Sequence, residues 1–164
     1  MRVAVLDDYQ DVALASADWS VLPAGTEVVA FRDHLADETA VAERLRDFEV
    51  IVGMRERTPF PRSLLERLPN LRLLVTTGGG NASFDIAAAH ERGVVVCGTG
   101  GVGTPTAELT WGLLLSLARS IPAEDRAVRE GRWQTSIGAG MAGRTLGIVG
   151  LGNLGTQVAN AGCA

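Results

Sequence analysis

A chain of 164 residues, 46% hydrophobic and 21% charged, can bury one sizeable core and has the make-up of a folded globular protein. Its net charge of −4 excludes a basic footprint for nucleic acid or an anionic membrane surface. The longest apolar helix candidate, residues 109–118, is about half of the roughly 20 residues that a bilayer requires.

In chain order, short apolar or β-branched runs predict strands over residues 2–6, 27–31, 49–53, 71–76 and 94–97. Helix signals fall between them. Residues 38–48 repeat Val41, Leu45 and Phe48 at helical spacing behind the cap candidate Asp37. Pro61 opens a turn carrying Leu64, Leu65 and Leu68, and residues 84–92 run to a stop at Gly93. Alternation of this kind predicts an α/β fold with a parallel sheet covered on both faces. Ligands of such sheets gather at the carboxyl ends of strands, which singles out loops 7–10, 54–60, 77–83 and 98–104.

Asp7-Asp8 ends the first strand. A phosphorylated receiver site would need a further aspartate after strand three, where Met54 stands, and a lysine. All fifteen basic residues are arginine, so a receiver lysine, a Schiff-base lysine and a P-loop lysine are excluded. The acidic pair is expected to be solvated or to cap its loop. Arg55 or Arg57, after strand three, can face an anionic substrate, since guanidinium matches carboxylate geometry, or can stand in water or pair with Glu56 or a nearby acid. Gly78-Gly79-Gly80 leaves amides unobstructed between a strand and a helix, a concavity suited to a carboxylate. His90 is expected at the surface near a helix end, and Cys97 as a small core residue. The two cysteines, Cys97 and Cys163, form no disulfide framework, no signal-peptide layout precedes the first strand, and no metal-ligand spacing occurs. A reducing cytoplasm is the expected location.

The strongest helix spans residues 104–119, with Thr104 as expected N-cap, Pro105 at the first position and Glu108 in the first turn. Its leucines spread round most of the circumference, so it is expected to be buried between domains or subunits. A shorter helix follows over residues 123–129. Residues 146–149 read as a buried strand that runs into Gly150-Leu-Gly-Asn-Leu-Gly155, a G-x-G-x-x-G turn, with a helix to follow. Gly150 permits the turn, Gly152 lets backbone approach a pyrophosphate and Gly155 lets helix and strand pack. The helix N-terminus offers free amides and a positive dipole end.

Taken together, Arg55-Glu-Arg-Thr-Pro-Phe60, Leu68-Pro-Asn-Leu71, Thr76-Thr-Gly78, Asn81-Ala-Ser-Phe-Asp-Ile-Ala-Ala-Ala89, Arg92-Gly-Val94, Thr104-Pro-Thr-Ala-Glu-Leu109 and Leu146-Gly-Ile-Val-Gly-Leu-Gly152 resemble the D-isomer-specific 2-hydroxyacid dehydrogenases in order and spacing. The resemblance implies a flavodoxin-like, parallel-sheet substrate domain over residues 1–100. Residues 101–164 would then hold the crossover helix and the first strand, turn and helix of a Rossmann domain. It implies hydride transfer between NAD (or NADP) and a small 2-hydroxy or 2-keto acid in an interdomain cleft, and a homodimer that uses the crossover helix. Amides near Gly79 and Gly80 would hold the substrate carboxylate. Arg55 and the 100–106 loop, with Thr104, would border substrate or nicotinamide. Gly150, Gly152, Asn153, Leu154 and Gly155 would hold the pyrophosphate.

Two departures accompany it. Commoner members read G-x-D-x-I-D where this chain has Gly80-Asn-Ala-Ser-Phe-Asp85, one residue longer. The family's catalytic arginine, glutamate and histidine, and the acidic residue that selects NAD, would lie beyond residue 164. No catalytic residue is therefore assigned within the chain, and the 164 residues alone are expected to be inactive. A non-catalytic binding or oligomerisation module is the alternative.

Overall fold

The structure, a computed structural model, describes residues 1–163. The chain divides into two compact units, Met1–Gly101 and a second that starts at Val102.

The first unit is built on five strands: β1 (Arg2–Val5), β2 (Glu27–Ala30), β3 (Val50–Gly53), β4 (Leu73–Thr76) and β5 (Val95–Gly98). All pair in parallel, in the order β2-β1-β3-β4-β5. That is the flavodoxin-like order, and its switch point lies between β1 and β3. Each strand lies within one or two residues of its expected bounds. Three helices connect them: α1 (Glu38–Leu45), α2 (Arg62–Leu65) and α3 (Ile86–Glu91). Asp37 caps α1 by accepting from the Ala40 amide at 2.9 Å, and Asp85 caps α3 by accepting from Ala88 at 2.8 Å. The core joins Val41, Leu45, Leu64, Leu65 and Ala88 of the helices to Ala4, Ile51 and Leu74 of the sheet.

Among the described residues of this unit, α1, α2 and α3 all cover that one face. The β1–β2 connection contains a single 3-10 turn, Trp19–Val21, where a second helical layer would need an α-helix. Val50, Val52, Leu73 and Val75 on the opposite face are half-buried, and Val95 is 60% exposed. That face is covered at β1, where Val3 and Val5 are buried, and half-covered beyond it, which corrects the expectation of two helix-covered faces.

The second unit holds α4 (Thr104–Ala118), α5 (Ile121–Arg129) and α6 (Asn153–Gly162). Helix α4 packs on α6, where Trp111 Nε1 donates to the Val158 carbonyl at 3.1 Å and its ring lies where a side chain on Gly162 would stand. Helix α4 begins at Gly103 as N-cap, so Thr104 is its first helical residue and Glu108 falls outside the first turn. Ala107 alone is buried in it, while Leu109, Leu113 and Leu117 are 62%, 63% and 83% exposed. Residues 146–149 form no strand, and Val149 is fully exposed. A strand exists through its ladder partners, and this segment has none among the described residues.

Candidate functional site

The four loops at the carboxyl ends of β1, β3, β4 and β5 are linked by hydrogen bonds into one surface. Thr99 Oγ1 accepts from the Gly78 amide at 2.9 Å, and the Thr99 amide donates to the Gly78 carbonyl at 2.8 Å. The two loops touch so closely that a Cβ on Gly98 would overlap the Gly78 carbonyl oxygen. Gly78 itself has φ +141°, a backbone state that favours glycine. At Gly79 and Gly80 nothing stands within 4 Å of a Cβ, so their backbone is open to a ligand. A small cavity of about 150 Å³ is lined there by Gly79, Gly80, Asn81 and Gly98.

Asn81 organises this loop, and sequence reasoning passed over it. It is 9% exposed. Its Nδ2 donates to the Arg55 carbonyl at 2.5 Å and to Thr76 Oγ1 at 3.0 Å, and its Oδ1 accepts from the Ser83 amide and hydroxyl. The available signal was the asparagine directly after three glycines, a residue type that bonds its own loop backbone.

The two candidate arginines part company. Arg55 has φ +54°, rare for a residue with a Cβ. Its amide donates to Thr77 Oγ1 at 3.2 Å, and its Nη1 lies 2.5 Å from where a Cβ on Gly78 would stand. Its guanidinium therefore lies over Gly78. Arg57 turns the other way. Its Nη1 donates to the Asp7 carbonyl at 2.7 Å and its guanidinium lies 4.5 Å from the centroid of the Tyr9 ring.

Asp7 and Asp8 are 1% and 0% exposed, so the solvated reading of the pair is corrected. Asp8 does cap its loop, accepting from the amides of Val12 and Ala13 at 3.1 and 3.0 Å. Asp7 accepts from Thr58 Oγ1 at 2.7 Å and lies 2.8 Å from His34 Nδ1. Burial of these carboxylates is tolerated because each is hydrogen-bonded. Cys97 is exposed, not in the core, because β5 is an edge strand and its side chain points to the face without helices. His90 is exposed in the last turn of α3, as expected.

In the second unit the glycine turn opens α6. Gly150 has φ +87°. A Cβ on Gly155 would overlap the Gly150 carbonyl oxygen, and nothing stands within 4 Å of one on Gly152. Gly152 is the N-cap and supplies no side chain, and the first helical bond runs from the Thr156 amide to the Gly152 carbonyl at 2.9 Å. The amides of Asn153, Leu154 and Gly155 precede that bond and lack helical acceptors. Gln157 Nε2 and Leu154 Cδ2 stand 2.9 and 3.3 Å from a Cβ on Gly103, so the residue before Thr104 lies against the first turns of α6.

The sheet order, the glycine loop at its carboxyl edge and the glycine turn define an α/β protein with a flavodoxin-like parallel sheet. Residues 3–160 match the family model of the D-isomer specific 2-hydroxyacid dehydrogenase catalytic domain. A glyoxylate/hydroxypyruvate reductase of Arabidopsis thaliana is 41% identical over 108 residues, 63% of this chain and 33% of that protein. A glyoxylate reductase of Korarchaeum cryptofilum is 36% identical over 126 residues, 73% of this chain and 38% of that protein. The crystal structure of a phosphoglycerate oxidoreductase from Vibrio cholerae superposes with a TM-score of 0.91 at 39% identity, covering 99% of this chain and 53% of that one. The chain belongs to the D-isomer specific 2-hydroxyacid dehydrogenase family. It spans between a third and about half of the length of these relatives.

Proposed function

We propose that the first unit is the substrate domain of a D-2-hydroxyacid dehydrogenase and binds the carboxylate of a small 2-hydroxy or 2-keto acid. The observation that carries this reading is the placement of Arg55 over Gly78, beside the open backbone of Gly79 and Gly80. A carboxylate there meets a cation and unobstructed amides together, the pairing that gives short, charge-assisted hydrogen bonds. Arg57 is engaged by Asp7 and Tyr9, which leaves Arg55 as the partner of the acid.

The second unit fits the pyrophosphate of NAD or NADP. A positive-φ glycine, an uncovered Gly152 and a helix start without a side-chain cap form a cradle that larger residues would fill. Gly150, Gly152, Asn153, Leu154 and Gly155 would hold the phosphates, with Thr104 at the border. When bound, the dinucleotide supplies the redox equivalent. The chain's own part is to bind and orient. Neither histidine stands at the glycine loop as an acid–base group: His34 pairs with Asp7, and His90 lies on α3. The 164 residues by themselves therefore hold ligands without reducing them. The protein works as a cytoplasmic homodimer in this reading, and no helix among the described residues is long and apolar enough to cross a membrane.

The test is a titration of the isolated chain with pyruvate, following amide resonances. Gly78, Gly79 and Gly80 shift, and Arg55→Ala removes the response. Unmoved glycine amides at saturating pyruvate would end the carboxylate reading. NADH oxidation on adding pyruvate or glyoxylate would overturn the expected inactivity.

The exposed leucines of α4 favour a second reading, in which the chain is a binding or oligomerisation module. Sedimentation of a dimer that binds neither pyruvate nor NADH would support it.

A further inference from the structure

We infer that Asp7 is a positioning residue, which holds Arg55 in its strained, ligand-facing conformation from the far side of the β3 loop. The inference rests on the carboxylate reading above. Asp7 stands at the end of β1 and Arg55 at the end of β3, the two strands that flank the switch point of the sheet. Both adopt positive φ, +56° and +54°, although both carry side chains. Such residues persist only where their surroundings over-determine them. Around Arg55 the determinants are visible. From the β4 side, Thr77 and Asn81 hold its amide and carbonyl. From the β1 side, the turn that contains it closes with the Arg57 amide on the Met54 carbonyl at 3.3 Å. Asp7 pins the outgoing end of that turn twice. Its carboxylate accepts from the buried Thr58 hydroxyl at 2.7 Å, and its carbonyl accepts from Arg57 Nη1 at 2.7 Å. His34 at 2.8 Å fixes the other carboxylate oxygen to the loop after β2. One buried carboxylate thus joins the loops after β1, β2 and β3.

The role requires hydrogen-bond acceptance and not charge. Asp7→Asn keeps an acceptor for Thr58 and a polar partner for His34. Asp7→Ala keeps neither.

The experiment measures pyruvate affinity and the intraresidue amide–Hα NOE of Arg55, which is strong only at positive φ, in the chain and in four variants. Asp7→Ala is expected to lose the strong NOE and bind pyruvate about tenfold more weakly, while Asp7→Asn stays near the unsubstituted protein. Arg55→Ala is the control for the site itself. If it binds pyruvate normally, the carboxylate reading fails. If it abolishes binding while Asp7→Ala keeps both affinity and NOE, the positioning role alone is overturned. Asp7→Asn as weak as Asp7→Ala also overturns it. Should Asp7→Ala not fold, Thr58→Val decides, since it removes one donor and keeps the shape. A weakened affinity with an altered Arg55 NOE upholds the role, and unchanged values refute it.

Discussion

The two units of this chain are made of similarly apolar sequence and end in opposite states of burial. In the first, Leu45, Ile51, Phe60 and Leu74 are completely buried and every strand has at least one parallel neighbour. In the second, Ala107 and Ala127 are the buried hydrophobic residues among those described, and leucines of α4 stand in the open. Apolar content therefore does not by itself make a core. The first unit has a sheet, which gives helices a common surface to cover. The second has helices and a glycine turn without a paired strand among the described residues, so its apolar faces have no common surface to cover.

The largest expected effect tests that contrast directly. Phe60 is fully buried, and its ring meets that of Phe84 edge-on with centroids 5.2 Å apart. Phe60→Ala should destabilise the first unit by about 3–5 kcal/mol, the range for truncating a core aromatic. Leu113→Ala, at a residue 63% exposed, should stay within about 0.5 kcal/mol of the parent. Urea unfolding followed by amide resonances of each unit measures both. Equal losses would mean that α4 is covered in solution, and would move the second unit towards the oligomeric reading.

What could be read in advance divides along the same line. The strands were legible because β1, β3 and β4 are short branched runs closed by polar or glycine residues, and the α1 cap because Asp37 precedes a helical repeat. The glycine loops were legible because backbone freedom is written in residue type. Residues 146–149 have the same pattern as β1 and form no strand, since pairing depends on partners that local sequence does not specify. The burial of Asp7 was hidden for a related reason. Its partners Thr58 and His34 are 51 and 27 residues away and meet it only once the sheet brings the strand ends together.

A second comparison lies within the first unit, between glycines that look alike in sequence. A Cβ on Gly98 would overlap the Gly78 carbonyl, whereas one on Gly100 would meet nothing within 4 Å. Backbone cannot yield as a flexible side chain can, so Gly98→Ala should cost about 1–3 kcal/mol and spread the glycine loop. Gly100→Ala should leave the stability of that unit unchanged. Both are checked by the unfolding midpoint together with the pyruvate-responsive amides of Gly78 to Gly80. A loop that tolerates Gly98→Ala with its pyruvate response intact would show that close contact of the two loops is dispensable.

The smallest expected effect belongs to the second unit and depends on pH. Glu124 of α5 accepts from the Ser136 hydroxyl at 2.7 Å, and from the hydroxyl and amide of Thr135 at 2.8 and 3.1 Å. These hydrogen bonds, that from Ser136 foremost, hold its carboxyl below the ordinary value of 4.5. A carboxyl lowered in the folded state stabilises above its ordinary value, and the contribution fades as pH falls through the lowered one. The group is solvated, so the effect is local: as pH falls through the lowered value, the Thr135 amide should lose its hydrogen-bonded shift and exchange faster. Helix α5 should persist, because its backbone bonds do not involve this carboxylate. Glu124→Gln keeps an acceptor without a titrating group, so it should remove the acid step while retaining part of the attachment. If the step survives in Glu124→Gln, another group holds residues 135–136, and the second unit has a tether that its hydrogen bonds do not reveal.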